Sequence, residues 1–212
     1  MKILAVQSRM GIGDTVIFLP FIKALSKKFN SPISILVKEN SKANQYLHQT
    51  KYIDKILTLE RDNKTNNRHG GFFGIFKLAN DLKKYKFDKI FIFNSSLRFN
   101  LVAKISGIPQ IYQYPLFAKN KQHIIEAPKK FLKENLDLDI NENPEVQIDN
   151  DSISKAAQKF QIDKNTTNIL LGIGGSGPTK RIPGKTFLSV IDKLSLIHIS
   201  EPTRPERISY AV

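Results

Sequence analysis

Two glycine-containing segments follow short apolar runs and are the first candidates for chemistry. The earlier one reads Gln7-Ser8-Arg9-Met10-Gly11-Ile12-Gly13-Asp14 and comes directly after the apolar run 3–6. Glycines at such a turn let the backbone approach a ligand closely, and the N–H groups of a helix that follows favour an anion. By periodicity alone, Asp14 is best interpreted as the N-cap of that helix, a role worth about 1 kcal/mol.

The second segment has the spacing Gly172-x-Gly174-x-x-Gly177 and follows the apolar residues 168–171. A glycine turn between a strand and a helix is typical of sites that bind nucleotide phosphates. The segment is not a Walker loop, because Pro178 stands where that motif requires lysine. Taken alone, the adjacent pair Lys180-Arg181 would be interpreted as a solvated surface pair.

Gly11 and Gly13 also match the first two glycines of a dinucleotide-binding fingerprint. Val16 holds the position of the third glycine. Glu39 stands at the end of the second predicted strand and could take the place of the acid that binds a ribose. The sequence therefore leaves a nicotinamide- or flavin-dependent oxidoreductase open as an alternative.

The elements that must position these residues alternate between strand and helix. Continuous apolar runs predict strands that are buried on both faces, and apolar residues at helical spacing predict helices between them. The predicted strands are 3–6, 33–37, 56–59, 89–93 and 111–114, and the predicted helices are 15–29, 43–48, 72–85, 97–106 and 122–135. This order predicts a doubly wound, Rossmann-like α/β domain over residues 1–150.

A second unit of the same kind begins after an acidic and polar connector at residues 137–150. A helix is predicted over 152–160, a strand over 168–171 and a helix over 184–194, with the second glycine turn between the last two. Residues 151–193 are thus predicted to be a connector and the start of a second, carboxyl-terminal domain.

Composition excludes several classes of protein. The chain has 212 residues, no cysteine and four histidines, so a disulfide framework, a thiolate metal site and a zinc enzyme are not expected. No stretch approaches the twenty apolar residues of a membrane-spanning helix, and the amino terminus lacks the features of a signal peptide. We therefore expect a cytoplasmic protein without a bound metal.

The chain is strongly basic, with 33 Lys and Arg against 19 Asp and Glu and a net charge of +14. The plain interpretation is that the coding sequence favours lysine codons, which makes a protein basic without a nucleic-acid partner. The alternative is a basic face that meets phosphates or an anionic membrane surface. No motif of a DNA- or RNA-binding module occurs, so no nucleic-acid partner is expected.

Residues 194–212 are expected not to be native. Residues 194–204 and 208–212 match the in-frame translation of a transposase-type DNA-sequencing adapter, in the same order. We therefore expect the natural part to end near residue 193 and the natural gene to continue, and His198 is excluded from functional interpretation.

The first glycine segment, the Pro20 to Leu25 stretch, the segment 86–92 and the helix end 103–107 together resemble glycosyltransferase family 9. That family contains the ADP-heptose:lipopolysaccharide heptosyltransferases, and its proteins open with R-x-G-x-[IL]-GD. His123 and Glu126 fall where the family has an H-x-x-[ED] segment. The resemblance covers about residues 2–193.

The second glycine segment resembles the loop with which the same family holds the donor diphosphate. Its matching positions are Ser176, Gly177, Thr179 and Lys180, and Ile182 stands where the family usually has tryptophan. Backbone N–H groups and a lysine would stabilise the charge that grows on the departing diphosphate.

The resemblance implies a GT-B arrangement of two facing Rossmann-like domains. It implies transfer of heptose or a related sugar, with inversion, from a nucleotide sugar such as ADP-heptose to a lipopolysaccharide core acceptor. Asp14 would be the general base, with Arg9, Gly11 and Gly13 on the acceptor side of the cleft, and no metal or cofactor would be needed. Such a protein would work in the cytoplasm and could lie peripherally on the inner face of the inner membrane.

The chain contains no match to the D-x-G-x-x-H-type segment that completes donor binding in the family, so we expect the 212-residue chain to be inactive. A non-catalytic binding module for envelope assembly is a further alternative, and the isoleucine at position 182 is compatible with it.

Overall fold

One five-stranded parallel sheet is the centre of the fold. The computed structural model describes residues 1–9, 11–61, 67–116, 123–163, 165–172 and 182–198. The strands are β1 (Ile3–Val6), β2 (Ile33–Lys38), β3 (Ile53–Leu59), β4 (Lys89–Ile92) and β5 (Gln110–Gln113). They lie in the order β3-β2-β1-β4-β5, and every neighbouring pair is parallel. The predicted fold class, a parallel α/β sheet of Rossmann type, is confirmed.

Helices connect the strands and cover both faces of the sheet. The helices are α1 (Ile12–Phe29), α2 (Ala43–Tyr46), α3 (Phe73–Lys83), α4 (Leu97–Ile105), α5 (Glu126–Leu136), α6 (Asn150–Lys159) and α7 (Gly184–His198). A short 3-10 helix, Glu39–Ser41, follows β2. No helix in these described ranges is long and apolar enough to cross a bilayer.

The central strand β1 shows why its sequence is an uninterrupted apolar run. Ile3 and Ala5 belong to the core cluster that includes side chains of α1 and α5. Leu4 and Val6 belong to the cluster on the other face, with side chains of α3 and α4. Successive residues of a strand point to opposite faces, so a strand covered on both faces needs apolar residues at every position.

The loop between β3 and α3 is anchored by a buried histidine. His69 Nδ1 accepts a hydrogen bond from the Glu60 backbone N–H at 3.1 Å, and its Nε2 lies 3.1 Å from Asp81 Oδ2. Arg68 donates to the same carboxylate, with Nη2 2.8 Å from Oδ1. Because Nδ1 is an acceptor, the proton of the neutral ring is on Nε2 and is donated to Asp81.

Two compact units, residues 1–156 and 157–212, divide the chain. The division falls within α6, and the predicted domain boundaries at residues 150 and 193 stay predictions. Residues 157–163, 165–172 and 182–194 of the second unit include no buried residue.

The strand predicted over residues 168–171 is wrong. These residues are described but form no strand, and Leu170 is 97% exposed. A parallel strand is stabilised by hydrogen bonds to a neighbour, and within the described ranges no second strand lies beside this segment.

Candidate functional site

The loops that follow β1 and β4 meet at the carboxyl edge of the sheet. From β1 the chain continues towards β2 on one side, and from β4 it continues towards β5 on the other side. In open α/β sheets, ligands bind at the point where the strand order reverses in this way. The two loops are joined directly, because Asn94 Nδ2 donates a hydrogen bond to Ser8 Oγ at 2.6 Å.

The buried side chain of Gln7 holds the loop between β1 and α1 in place. Its backbone N–H donates to Leu36 O at 3.0 Å, which extends the sheet by one residue. Its side-chain Oε1 accepts from the Arg9 N–H at 3.0 Å, and Nε2 donates to Asp14 O at 3.3 Å. One amide therefore fixes both ends of the segment that contains the predicted acceptor-side residues.

Gly11 is required by the backbone conformation of this loop. Its φ of 108° and ψ of 159° lie in a region that only glycine occupies readily. A Cβ added to Gly11 would meet no atom closer than Asp14 Oδ2 at 3.5 Å, so the restriction comes from the backbone rather than from crowding. A Cβ on Gly13 would lie in open space at a normal φ, so nothing in the backbone demands glycine there.

The interpretation of Asp14 as the N-cap is wrong, because α1 begins two residues earlier than Asp14. The N-cap is Gly11, which has no side chain to bond, and Asp14 lies in the first helical turn. A carboxylate there is stabilised by the positive end of the helix dipole. In the described part of the chain, no side chain or backbone N–H donates to the half-buried Asp14 carboxylate. Its oxygen atoms therefore remain able to accept a hydrogen bond from a bound hydroxyl group.

A cavity of about 350 Å³ opens at the carboxyl ends of these strands. Its lining includes Arg9, Asn94, Tyr114, Lys130 and Glu134, and Lys130 Nζ lies 3.7 Å from Glu134 Oε1. Asp14, Gly11 and Gly13 do not line it; they are connected to it through the loop that Gln7 holds. The charge of Lys130 is balanced by Glu134, so Arg9 and the Asn94 amide are the groups that suit a polar ligand with negative charge.

Tyr114 lines this cavity, and its hydroxyl is a buried polar atom without a partner in the described ranges. Its ring packs edge-to-face against Phe93 at 6.0 Å and Phe131 at 5.1 Å between centroids. Burial raises the pKa of the phenol well above its ordinary value of 10, and the nearby charge of Arg9 opposes this only weakly. The buried hydroxyl has no hydrogen-bond partner among the described residues.

A hydrogen-bond network fixes the wall formed by the loop between β4 and α4. Asn94 Oδ1 accepts from the Ser96 N–H at 2.6 Å, and Gln113 Nε2 donates to the carbonyls of Asn94 and Ser96, both at 2.9 Å. Asn100 Nδ2 in turn donates to Gln113 Oε1 at 3.0 Å. These bonds bring together residues of β5, α4 and the loop, and they hold Asn94 in the orientation that lines the cavity.

Sequence reasoning missed Asn94 and Tyr114 as site residues, and it included Gln7 in the first candidate segment without giving it a role. Each follows a strand of the sheet by one or two positions, at the carboxyl edge where ligands bind in parallel sheets. The first polar side chain after each strand was therefore a signal that could have found them.

The predicted donor residues Ser176, Gly177, Thr179 and Lys180 lie outside the described residues. Ile182, which follows them, is described and is 53% exposed.

His123 and Glu126 stand at the start of α5 and do not line the cavity. His123 Nδ1 accepts from the Ile125 N–H at 3.4 Å, and Glu126 lies 4.0 Å from Lys129 in an exposed ion pair. Across the described ranges, no three His, Cys, Asp or Glu side chains are grouped so that they could hold a metal ion.

Glu39 begins the short 3-10 helix after β2. It lines a separate cavity of about 410 Å³ together with Lys38, Lys42 and Thr58. Val16, at the position of the missing third glycine, packs partly buried against the core on α1.

Comparison with solved structures identifies proteins with the same architecture. The glycosyl transferase family 9 structure from Veillonella parvula DSM 2008 matches 92% of this chain with a TM-score of 0.72 and 19% identity. E. coli ADP-heptose LPS heptosyltransferase II matches 93% with a TM-score of 0.63 and 17% identity. The chain has the fold of these proteins.

E. coli heptosyltransferase WaaC, solved with ADP-2-deoxy-2-fluoro heptose, matches 92% of the chain with a TM-score of 0.55 and 13% identity. The chain covers 60%, 62% and 66% of the lengths of these three structures. No model of a protein family and no curated protein matches the sequence.

Proposed function

We propose that this chain belongs to glycosyltransferase family 9 and forms the acceptor-side part of a sugar transferase. The observation that carries the proposal is the position of the Arg9–Asp14 segment. This segment resembles the family's opening motif, since Ile12-Gly13-Asp14 matches its [IL]-GD end and Arg9 stands one position closer than the motif has its arginine. It lies at the reversal point of a sheet whose fold is shared with three structures named as glycosyl- or heptosyltransferases.

The proposed reaction transfers heptose or a related sugar from a nucleotide sugar, such as ADP-heptose, to a lipopolysaccharide core acceptor. Asp14 removes the proton from the acceptor hydroxyl as its oxygen attacks the anomeric carbon. The diphosphate leaves from the opposite side of the sugar, so the configuration inverts. The unpaired carboxylate of Asp14 in the first turn of α1 supports this assignment.

The cavity beside this loop is proposed to hold the acceptor. Arg9 supplies positive charge beside the Lys130–Glu134 ion pair, and Asn94 supplies an amide group, which suits the phosphates of a lipopolysaccharide core. The donor diphosphate is assigned, on resemblance, to Ser176, Gly177, Thr179 and Lys180. The proposal involves no metal, cofactor or nucleic acid, and it sets the reaction in the cytoplasm, where the acceptor is presented at the inner membrane.

The test of Asp14 is a transfer assay on the full-length product of the gene, with ADP-heptose and lipopolysaccharide core as substrates. We expect Asp14→Asn to lower kcat by about 100-fold or more, the usual effect of losing a general base. Asp151→Asn is the matched control, because Asp151 is also a first-turn acid, on α6. Full activity of the Asp14 variant would overturn the base assignment, and unaltered envelope sugars in cells that carry it would favour a non-catalytic module.

The 212-residue chain by itself is proposed to transfer no sugar, since it spans at most 66% of the length of the structures it matches. Turnover by this chain alone would contradict that expectation.

A dinucleotide-dependent oxidoreductase is the second candidate, and the position of Glu39 directly after β2 favours it. A titration of the chain that monitors NADH fluorescence separates the two functions. Saturable binding of NADH that is lost in Glu39→Gln would support the oxidoreductase.

A further inference from the structure

Three phenylalanine side chains are exposed at the start of α3. Phe72 is 68% exposed, Phe73 is 76% exposed and Phe76 is 48% exposed. Their rings contact one another, with centroids 6.1 Å apart for Phe72 and Phe73 and 5.7 Å apart for Phe72 and Phe76. Grouped exposed aromatic rings are uncommon on soluble proteins and mark a surface that meets another apolar phase.

An apolar stripe on the neighbouring helix α4 adds to these rings. Leu97, Leu101 and Ile105 follow one another at intervals of four residues and are 45%, 38% and 44% exposed. Residues four apart lie on one face of a helix. The phenylalanines and this stripe are together called the α3–α4 surface below.

Two hydrogen bonds hold α3 and α4 side by side and in the same direction. Near their amino ends, Arg98 Nη1 donates to Gly71 O at 2.7 Å, and further along Ser106 Oγ donates to Ala79 O at 3.1 Å. The two helices cover the same face of the sheet, so their exposed apolar residues lie on the side of the helices that is away from the sheet.

The α3–α4 surface carries exposed lysines without acidic partners. Lys77, Lys83 and Lys104 are exposed, and none of them is in an ion pair in the part of the chain that the structure describes. The other face of the sheet differs, because Lys23 and Lys27 on α1 both pair with Glu142. The positive charge of the α3–α4 surface is therefore not neutralised locally.

We propose that the α3–α4 surface binds an anionic lipid bilayer. Phenylalanine rings enter the interfacial region of a bilayer, and lysines beside them attract anionic headgroups. The net charge of +14 adds a long-range attraction to the same surface. A second copy of the chain fits less well, because a twofold contact would bring the same lysines against each other. This surface is distinct from the cavity, so the proposal does not depend on the sugar-transfer reaction.

The chain has no tryptophan, which allows a direct test of insertion. Phe73→Trp places a single fluorophore on the proposed surface, and Phe160→Trp places one at a residue that is 54% exposed in the other unit. With phosphatidylglycerol vesicles, the emission of the Phe73→Trp variant is expected to shift to shorter wavelength and to be quenched by brominated acyl chains. An unchanged spectrum, or equal quenching in both variants, would overturn the proposal.

Vesicle co-sedimentation separates the contributions of the rings and the lysines. Replacing Phe72, Phe73 and Phe76 together by serine is expected to weaken binding by at least about tenfold, given the transfer free energy of a single ring. Replacing Lys77, Lys83 and Lys104 by glutamine is expected to weaken it by up to about 100-fold, at about fivefold per lysine.

The matched control replaces Lys28, Lys51 and Lys55 by glutamine, which changes the net charge equally but elsewhere on the chain. Equal weakening by both lysine sets would refute a specific surface. Pure phosphatidylcholine vesicles are expected to bind far less. A concentration-dependent dimer that the serine variant abolishes, seen by sedimentation velocity without lipid, would assign the surface to a second copy instead.

Discussion

Replacing Gly11 by alanine tests whether the loop before α1 is held in a conformation that only glycine adopts. The φ of 108° and ψ of 159° are unfavourable for any residue with a Cβ, at a cost of about 1–3 kcal/mol. The added methyl group itself finds room, with its nearest neighbour, Asp14 Oδ2, at 3.5 Å. The expected loss is therefore backbone strain alone, about 2 kcal/mol if the loop keeps its shape.

Urea unfolding measures this loss directly. For a slope of about 2 kcal/mol per molar urea, a loss of about 2 kcal/mol lowers the midpoint by about 1 M. Gly13→Ala is the matched control, because a methyl group there lies in open space within α1 and alanine favours the helix. Its midpoint is expected to stay the same or to rise. Equal midpoints for the two variants would refute the reasoning.

If the Gly11→Ala loop instead relaxes to relieve the strain, Asp14 moves with it. The stability loss would then be smaller, and transfer by the full-length protein would fall. A variant with full stability and full activity would show that this conformation is not needed.

Two further predictions concern side chains that anchor loops. Gln7→Leu is expected to destabilise the protein by about 1–2 kcal/mol in thermal unfolding, because the Arg9 N–H and the Asp14 carbonyl lose their partner; Gln7→Glu, which keeps the acceptor, should fall between. Burial alone would raise the pKa of Asp81. The hydrogen bonds that its carboxylate accepts, above all the one from His69, outweigh this effect and hold the pKa below its usual 3.8. The carboxylate therefore stabilises the fold above about pH 4, and this contribution is lost as pH falls through the lower folded pKa. Asp81→Asn should be less stable than the parent at pH 6, and a gap in urea midpoint that is as large at pH 3 would contradict this.

The sheet could be predicted from the sequence because its signal is local. A strand such as Ile3–Val6, covered on both faces, needs an apolar residue at every position, and this pattern is visible without knowing the neighbours. The same rule failed for residues 168–171, where the pattern is present but no neighbouring strand supplies hydrogen bonds among the described residues.

The candidate site was predicted only in part because its geometry depends on contacts between distant segments. The glycines and Asp14 stand together in the sequence, so their motif could be found there. The bond from Asn94 to Ser8 joins residues 86 positions apart, and Tyr114 reaches the same cavity from β5. Helix periodicity also placed the start of α1 too late, because Gly11 rather than Asp14 caps it.

The central position of β1 affects how the protein can be synthesised. Residues 3–6 leave the ribosome long before β4, which is one of their two neighbours in the sheet: the bond from Lys2 N–H to Asp88 Oδ2 spans 86 residues. At about 5–20 residues per second, one edge of β1 stays without its partner for roughly 4–17 s. During that interval an apolar strand with an open edge is a site for aggregation, and only the late arrival of β4 closes that edge.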